Sequence, residues 1–387
     1  MPSDVREQGA SAPRAVRRVP RLALALGGVA FGVSVVVFLE GAASLLHAFR
    51  AARESLPVAE WRYCTYDPDL GWVARRNVRA ADLYGPGRGV ATNARGFRGA
   101  AEIAPGPPPG KIRVVCSGDS FTFGYGVDTE DAWCNRLARI DPLIEPVNMG
   151  QGGYGADQAY LWYMRDGAIL EDDIQLLVFD GLMFERMQQT ETLGFGKPVL
   201  ALEHGRLLTK NTPVPRRSSI WRYPGIYPLV SGVRLLRLTE VARSLRRPAA
   251  ESEVLSASYL PAIVQALVEQ LAHAHQQRNR VFAVVYLPLH DDCFANTPTY
   301  LYWSALLRDT AARTGAIFID LVPDFRQLPG EELEAQFISA GDTPYFQAAG
   351  HLSAAGNRFV ASRIHAALGS DSRVNALAAS VSYQKSR

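Results

Sequence analysis

Residues 118–127 read GDSFTFGYGV and follow directly on the apolar run IRVVCS (112–117). That run has the length and the Val and Ile content of a buried β-strand, and the glycine after it marks the end of the strand. Because a helix is expected to begin there, Ser120 should lie at a strand end and a helix N-terminus at once. Ser120 is then either the cap of that helix or a nucleophile with free backbone N–H groups beside it.

From residue 111 onward, short apolar runs alternate with longer amphipathic segments. Helices are predicted near residues 131–140, 156–168, 257–278, 299–314 and 354–368. The predicted strands are IRVVCS (112–117), EPVNM (145–149), IQLLVFD (174–180), RVFAVVYL (280–287) and AIFIDL (316–321). Strands rich in Val and Ile that are each followed by a helix predict an α/β domain with a parallel sheet covered on both faces.

The N-terminus carries a basic tail and then an apolar run. The net charge of the 387-residue chain is only +3, and the tail at 1–21 holds all of that excess, so the charge gives no case for a nucleic-acid partner. The run LALALGGVAFGVSVVVFL (22–39) has no charged residue and spans about 27 Å as a helix, enough to cross a bilayer. Since the arginines precede it, we expect an uncleaved inner-membrane anchor with the remaining chain extracytoplasmic. A cleaved signal peptide and a buried core helix are the alternatives.

These features divide the chain into five parts. A cytoplasmic tail (1–21) and a transmembrane anchor (22–45) precede a loop-rich lead-in (46–110) that ends in APGPPPG (104–110). The α/β domain is expected over 111–370, with an insertion at 186–254, and a C-terminal tail over 371–387. Within the insertion, PVLALEHGRLLTK (198–210) predicts a hairpin that turns at His204 and Gly205.

The four cysteines contain no CxxC pair, which argues against metal knuckles and thioredoxin-type chemistry. Cys116 falls in a strand pattern and Cys134 in a helix pattern, so both are expected to be core residues. An exported compartment would permit a bridge between Cys64 and Cys293, which the sequence alone does not establish.

Polar residues follow several of the predicted strands, where parallel α/β sheets place their sites. A histidine also precedes the last helix, in GHLSAAGNRFVA (350–361), where Ser353 is a natural N-cap. A strand-end serine and a histidine in the loop before the last helix make a nucleophile and a general base. The residues at these positions are Asp119, Ser120, the loop Gly150–Gly155, Asp180, His290–Asp292 and His351.

On these blocks the chain resembles the SGNH/GDSL hydrolase superfamily, and more narrowly its membrane-anchored bacterial envelope members. GDSFTFGYGV is similar to the first block, and VNMGQGGYGADQ (147–158) to the second. GHLSAAGNRFVA is similar to the last block, and LGW (70–72) and TNARGFRG (92–99) to sequence that often precedes the first block. The resemblance implies a three-layer α/β/α, flavodoxin-like fold. It also implies that Ser120 is the nucleophile, that His351 is the base, and that the N–H groups of Ser120 and Gly153 form the oxyanion hole.

The chain departs from that superfamily in two places. The third block should supply an asparagine, but VFDGLMFER (178–186) has Met183 or a neighbour there, and the acid expected just before the histidine is replaced by Ala348 and Ala349. Loss of one oxyanion donor costs about 10²–10³ in rate, and loss of the acid about 10⁴. The candidates for a supporting acid or polar group are Asp119, Asp180, Asp342, Asp291, Asp292 and Gln158.

Two other interpretations, a dinucleotide-binding loop and a metal site, compete for parts of these motifs. The loop Gly150–Gly155 matches GxGxxG between a strand and a helix, the fingerprint of dinucleotide binding, but Asp180 lies thirty positions on, rather than about twenty. His290–Asp292 could be a metal corner, although a solvated loop is favoured. His273 and His275 are expected on the protein surface.

The sequence therefore predicts an extracytoplasmic, membrane-anchored ester hydrolase or O-acyltransferase without a cofactor. Its expected substrate is an acylated carbohydrate or another ester, with an envelope biosynthesis partner. The competing class is a catalytically impaired module that binds glycan or an envelope assembly partner through 186–254.

Overall fold

A five-stranded parallel sheet organises the computed structural model, which describes residues 21–55, 58–216 and 259–385. The strands along the chain are β1 (Cys64–Asp67), β2 (Gly71–Ala74), β3 (Arg79–Ala80), β4 (Val90–Ala91), β5 (Ile112–Gly118), β6 (Ile144–Gly150), β7 (Ile174–Phe179), β8 (Glu191–Thr192), β9 (Phe195–Gly196), β10 (Val199–Glu203), β11 (Arg206–Lys210), β12 (Val281–Tyr286) and β13 (Ile317–Asp320). The large sheet has the order β13-β12-β7-β5-β6, so the strand that leads to Ser120 is an inner one. Its five strands are the five that the sequence predicts.

The helices of the described residues are α1 (Arg21–Ser55), α2 (Glu60–Tyr63), α3 (Ser120–Phe123), α4 (Trp133–Ile140), α5 (Ala156–Trp162), α6 (Gly181–Arg186), α7 (Leu260–Gln276), α8 (His290–Phe294), α9 (Pro298–Thr314), α10 (Val322–Arg326), α11 (Gly330–Glu334), α12 (Ala354–Gly369) and α13 (Ser372–Lys385). Helices of the α/β domain cover both faces of the large sheet, whereas the apolar side chains of α1 are largely exposed. A π-turn (Tyr163–Gly167) continues α5, and short 3₁₀ turns occupy Thr129–Asp131 and Phe346–Ala348.

Side chains along each strand point alternately to the two faces of the sheet and form two core layers. In β12, Phe282 and Val284 pack into the layer that also holds Leu267 of α7. The next residues along the strand, such as Ala283, face the opposite layer with Ile364 of α12. Because neighbouring side chains of a strand point to opposite faces, a strand that is apolar at every position fills both layers. The fold is therefore the three-layer α/β/α arrangement.

Two-stranded hairpins surround the carboxyl edge of the sheet. β1 pairs with β2 and β3 with β4 in the lead-in, and β8 pairs with β9 just after α6. β10 and β11 form the predicted hairpin, with Glu203 opposite Arg206 and the turn at His204 and Gly205. The part of the predicted insertion from 217 to 254 lies outside the described residues.

The N-terminal apolar run lies in α1, whose segment Leu24–Leu46 is long and apolar enough to cross a membrane. Large apolar side chains such as Phe31 and Phe38 are about three-quarters exposed along it. This exposure argues against the core-helix alternative, since a core helix would be buried. A membrane anchor and a signal sequence both have this length and composition.

The cysteines differ from expectation. Cys116 of β5 and Cys134 of α4 form a disulfide, with their Cα atoms 6.4 Å apart, although the sequence suggested that they were only core residues. The bridge considered between Cys64 and Cys293 is not formed; both are buried, and Cys64 Sγ accepts a hydrogen bond from Gln151. The spacing of 18 residues gave no sign of the pairing, which arises because α4 packs against β5.

One of the two histidines expected on the surface is in fact buried. His275 Nε2 lies 3.1 Å from Asp172 Oδ2 and 3.0 Å from the hydroxyl of Tyr163, and its Nδ1 lies 2.8 Å from the carbonyl of Leu271. The prediction was wrong because α7 turns this side chain toward the sheet, where Asp172 provides a polar partner. These contacts give His275 a structural role distant from Ser120.

Candidate active site

Ser120 is the first residue of α3 and follows closely on the end of β5. Asp119, not Ser120, caps α3, because its carboxylate accepts a hydrogen bond from the backbone N–H of Phe121 at 2.9 Å. The Ser120 hydroxyl is therefore not used as a cap. Its side chain is buried, with 4% exposure, at the floor of a cavity.

A loop anchored at both ends carries His351 to the same place. The backbone N–H of Ile338 donates to the carbonyl of His351 at 2.7 Å, and the N–H of Gly350 donates to the carbonyl of Ile338 at 2.9 Å. Two residues on, Ser353 accepts from the N–H groups of Ala355 and Gly356 at 3.2 Å, as an N-cap of α12 should. The cap predicted from the sequence is thus present.

Ser120 and His351 meet in the geometry that nucleophilic catalysis needs. Ser120 Oγ lies 2.8 Å from His351 Nε2, within hydrogen-bond reach for proton transfer. The imidazole ring stacks on Phe121 with 4.6 Å between centroids and lies 5.0 Å from the ring of Tyr125. Because the two aromatic rings flank the imidazole, they limit its rotation away from the serine.

The electrostatic environment keeps this histidine neutral. Burial lowers the pKa of His351 to about 4; the Asp119 carboxylate opposes the shift and the Arg186 guanidinium adds to it. The carbonyl groups of Gln347 and Ala348 also oppose the shift. At neutral pH the ring is therefore unprotonated and its Nε2 can accept the serine proton.

The loop after β6 brings Gly153 beside the serine. Gly153 has φ +80°, a left-handed conformation that favours glycine, and Gly150 packs so closely on α3 that an added Cβ would lie 2.1 Å from the backbone nitrogen of Phe123. Trp72 of β2 donates from its indole nitrogen to the carbonyl of Gly152 at 3.0 Å and holds the loop. Among the described residues, the N–H groups of Ser120 and Gly153 have no backbone acceptor. Both are available to a substrate oxygen.

The third-block stretch (178–186) has no asparagine, but it ends in a charged side chain, Arg186. Of the residues at the start of α6, Leu182 lines the cavity and Met183 is fully buried, and neither has an N–H in its side chain. Three residues on, Arg186 Nη1 lies 2.7 Å from Asp119 Oδ2 and 3.1 Å from the carbonyl of Tyr154. The same Asp119 oxygen accepts a long hydrogen bond of 3.3 Å from Ser120 Oγ. Arg186 thus fixes the carboxylate next to the nucleophile.

Asp180 completes this group at the end of β7. Its carboxylate caps α6 by accepting from the N–H groups of Leu182 and Met183 at 2.8 and 3.2 Å. Burial raises the pKa of Asp180 well above its usual range; the neighbouring Asp119 carboxyl raises it further and Arg186 lowers it. Asp180 therefore faces Asp119 and the start of α6, and no hydrogen bond joins it to His351 within the described part of the chain.

The candidate acids do not reach the outer nitrogen of the base. His351 Nδ1 is buried and has no hydrogen-bond partner among the described residues. Asp342 accepts from the N–H of Ser339 at 3.0 Å in an exposed loop, and the exposed Asp291 lies 3.3 Å from His290 Nδ1. Asp292 accepts from Thr297, and Gln158 donates to the carbonyl of Leu70 at 2.8 Å. Each of these side chains has a structural partner of its own.

A cavity of about 660 Å³ opens above the serine and histidine. Two of its polar residues, Glu60 and Arg186, escaped the sequence reasoning. Glu60 lies sixty positions before Ser120 and outside every recognisable block, whereas Arg186 ends the quoted third-block stretch and could have been noticed there. The lining comprises Glu60, Ser120, Phe121, Tyr125, Gly153, Gly181, Leu182, Glu185, Arg186, Thr192, Leu193, Leu289, His290, Asp291, Asp292, Thr297, Thr299, Phe346, Gln347, Ala349, Gly350 and His351.

The dinucleotide interpretation does not fit the topology. The strand before the glycines, β6, is an edge strand, and β5 separates it from the strand that Asp180 follows. The Asp180 carboxyl faces Asp119 and the start of α6, so it is not presented to a ribose. The glycines instead let the loop approach α3.

Comparison with known proteins gives similarity in structure only. No family model and no curated protein sequence matches the chain. An acetyl xylan esterase structure has 14% identity and a TM-score of 0.37, covering 66% of this chain and 99% of its own. A protein described as lipolytic and of the G-D-S-L family, from Desulfitobacterium hafniense DCB-2, has 15% identity and a TM-score of 0.34 over 66% and 99%. The TesA structure has 12% identity and a TM-score of 0.37 over 66% and 98%.

These identities and TM-scores are too low to carry an activity or a substrate to this chain. The fold assignment rests on the strand order and on the positions of Ser120, Gly153 and His351. On that basis the chain has a three-layer α/β/α fold and is similar to the SGNH/GDSL hydrolases, the superfamily that its sequence blocks resemble.

Proposed function

We propose that this protein is a membrane-anchored, extracytoplasmic carboxylic ester hydrolase that uses Ser120 as nucleophile and His351 as general base. The observation that carries the proposal is the 2.8 Å contact between Ser120 Oγ and His351 Nε2 at the floor of a cavity. A neutral histidine in that position supports the role of base, because it can accept a proton at physiological pH.

The reaction would proceed through an acyl-enzyme. Ser120 Oγ attacks the ester carbonyl carbon while its proton passes to His351 Nε2, and the carbonyl oxygen becomes an oxyanion held by the N–H groups of Ser120 and Gly153. The tetrahedral intermediate collapses, and the leaving alcohol takes the proton from His351. Water then attacks the acyl-enzyme carbonyl carbon and loses its proton to His351. As this second tetrahedral intermediate collapses, the bond to Ser120 Oγ breaks, Oγ takes the proton back from His351, and the acid product leaves.

Asp119 and Arg186 would position the nucleophile. The Arg186–Asp119 ion pair, at 2.7 Å, fixes the carboxylate that caps α3 and contacts Ser120 Oγ. A fixed α3 keeps the Ser120 N–H aimed into the cavity. The two residues would act through Ser120 and not on the substrate.

The substrates that the family resemblance suggests are O-acyl groups on envelope polysaccharides or exopolysaccharides. If a sugar hydroxyl replaces water in the second step, the same site would act as an O-acyltransferase. Two features support an extracytoplasmic site: the arginine-rich tail before α1 and the Cys116–Cys134 disulfide, since disulfides persist in oxidising compartments.

One observation favours a second candidate, a non-catalytic module that binds an acylated glycan in the same cavity. The outer nitrogen of His351 has no orienting acid among the described residues. Loss of such an acid costs about 10⁴ in rate in a serine protease. In this alternative the serine and histidine would only contribute hydrogen bonds to a ligand.

Hydrolysis of 4-nitrophenyl acetate by the full chain in detergent, beside Ser120→Ala, tests the proposal. We expect turnover by the wild type and at least a 10³-fold loss in the variant, because the nucleophile is removed. Equal rates for the two proteins would contradict the hydrolase and favour the binding module. A Ser339→Ala variant, with a serine outside the cavity, is a matched control and should retain the wild-type rate.

A further inference from the structure

The oxyanion hole lacks the donor that the family's asparagine would supply. The third-block stretch at 178–186 contains no asparagine; its Leu182 lines the cavity and its Met183 is fully buried, and neither side chain has an N–H donor. Two backbone N–H groups remain, from Ser120 and Gly153. A third donor would have to be another side chain that lines the cavity near Gly153.

Glu60 is placed there by rigid neighbours. It is the first residue of α2, is 2% exposed, and lines the cavity together with Ser120 and Gly153. The residues that follow fix α2: Trp61 donates from its indole nitrogen to the carbonyl of Leu193 at 2.8 Å, and Tyr63 stacks on Phe123 at 5.2 Å. The carboxyl group therefore has little freedom to leave the cavity wall.

The carboxyl lies against the oxyanion loop itself. A Cβ built on Gly152 would come within 1.9 Å of Glu60 Oε1, so only glycine at that position leaves room for the carboxyl. Gly152 directly precedes Gly153, whose N–H is one of the two backbone donors. Glu60 thus belongs to the lead-in before the α/β domain and lies against the loop that carries Gly153.

One oxygen of this buried carboxyl is unused. Glu60 Oε2 has no hydrogen-bond partner among the described residues. The ionisable groups that face it are the phenols of Tyr63, Tyr84, Tyr125 and Tyr345 and the guanidinium of Arg186. Burial raises the pKa of Glu60 to about 7, and Arg186 opposes the shift. In the protonated form the group has an O–H donor, whereas an ionised carboxylate would repel an oxyanion.

We propose that Glu60 is a catalytic residue whose protonated carboxyl donates a hydrogen bond to the substrate oxyanion, in place of the missing asparagine. This inference rests on the proposed function. No proton is transferred in the contact: the Glu60 O–H bond stays intact while Ser120 exchanges its proton with His351. A neutral carboxylic acid can stabilise an oxyanion in this way when an apolar site keeps it protonated.

Arg186 is another polar side chain that lines the cavity. Its Nη1 already pairs with Asp119 and with the carbonyl of Tyr154, which directs the guanidinium to the carboxylate beneath the serine. A guanidinium donor would also give no loss of activity between pH 7 and 9, because arginine does not titrate there. The pH profile therefore separates the two residues.

The test is the pH dependence of kcat/KM for 4-nitrophenyl acetate, measured with the full chain in detergent between pH 5 and 9. The rate of the Ser120→Ala variant at each pH is subtracted as background. We expect the wild-type value to fall as pH rises through about 7, tenfold per pH unit, as Glu60 ionises. Glu60→Gln should be slower at pH 6 by up to tenfold but should show no such fall, because an amide donates at every pH. Glu60→Ala should lose about 10²–10³-fold at pH 6.

Tyr63→Phe is the matched control, since it removes a neighbouring buried hydroxyl but leaves Glu60 in place; its profile should match that of the wild type. A Glu60→Gln variant whose kcat/KM still falls tenfold per pH unit above pH 7 would overturn the inference. So would a folded Glu60→Ala variant within threefold of the wild type. The absence of any Ser120-dependent turnover in the wild type is a different failure, because it removes the hydrolase and this inference together.

Discussion

Ser120 Oγ lies 2.8 Å from His351 Nε2, while the other ring nitrogen of that histidine is buried without a hydrogen-bond partner among the described residues. In a Ser-His-Asp arrangement an acid would hold that nitrogen and stabilise the imidazolium. Here the ring is held by stacking on Phe121 and by its anchored loop. The base is oriented by packing, and its protonated form is favoured by the Asp119 carboxylate and the carbonyl groups of Gln347 and Ala348, without a carboxylate hydrogen-bonded to Nδ1 among the described residues.

The first prediction concerns acid pH. Because the pKa of His351 is lowered from 6.5 to about 4, the base stays unprotonated well below neutral pH, and activity should be lost only as pH falls through about 4. We expect kcat/KM for an ester to be constant between pH 5 and 6. Recovery of activity on return to pH 6 is the control for acid unfolding. An acid limb near pH 6.5 would contradict the assigned environment.

The second prediction concerns the buried pair of Asp119 and Arg186. Arg186→Gln leaves Asp119 buried and without its counter-charge, which should destabilise the protein by about 3–5 kcal/mol. The double variant with Asp119→Asn should be more stable than the sum of the single effects, because no unpaired charge remains. Urea unfolding followed by circular dichroism measures the wild type, the two single variants and the double variant. Strict additivity of the two changes in the free energy of unfolding would show that the ion pair is not coupled.

The third prediction uses the stability of Glu60→Gln. The pKa of Glu60 is raised from 4.5 to about 7, so the folded state holds a proton that the unfolded chain has released. The stabilisation is full below pH 4.5 and is lost as pH rises through about 7, a loss of about 3 kcal/mol for a shift of that size. Relative to the glutamine variant, the wild type should therefore become less stable from pH 4.5 to 7.

Paired urea-unfolding series at pH 4.5, 5.5, 6.5 and 7.5 would measure that difference. Using a difference between two proteins cancels the contribution of His351. That contribution has the opposite sign, since a lowered histidine pKa gives stability that is lost as pH falls from 6.5 toward 4. A difference that does not change with pH would place Glu60 in a more polar environment than the cavity wall.

The fourth prediction concerns the cysteines. Protein secreted into an oxidising compartment should react with two equivalents of thiol reagent when denatured without reductant and with four after reduction, since Cys116 and Cys134 are joined. Closing a loop of 18 residues should stabilise the domain by about 3 kcal/mol. The Cys116→Ala, Cys134→Ala double variant should lose the effect of reductant on unfolding. Four reactive thiols before reduction would contradict the bridge.

Several features could be predicted from the sequence because they depend on local patterns. The five sheet strands are short runs rich in apolar residues, and Ser353 is a cap defined by its own neighbours in the chain. The partnership of Ser120 and His351 was also expected, since parallel strands and the loop before the last helix share one edge of the sheet. The pattern of apolar residues and the expected strand topology were enough to predict the strands, this cap and the proximity of Ser120 to His351.

Other features depend on packing between distant segments and left no local signal. Glu60 enters the cavity because α2 is fixed by contacts with Leu193 and Phe123, which lie far along the chain. Cys134 meets Cys116, and His275 turns to Asp172, only once helices dock on the sheet. The capping role that the sequence left open for Ser120 falls to Asp119, a choice decided by side-chain direction within one turn.

The central claim is that Ser120 is an activated nucleophile, and covalent labelling tests it most directly. The full chain in detergent would be treated with a fluorophosphonate at pH 7, beside Ser120→Ala and His351→Ala, and the modified peptide identified by mass spectrometry. The account predicts one adduct, on Ser120, with no labelling in the serine variant and labelling slowed at least 10²-fold in the histidine variant. Labelling that is absent from the wild type, or that persists unchanged in Ser120→Ala, would contradict it.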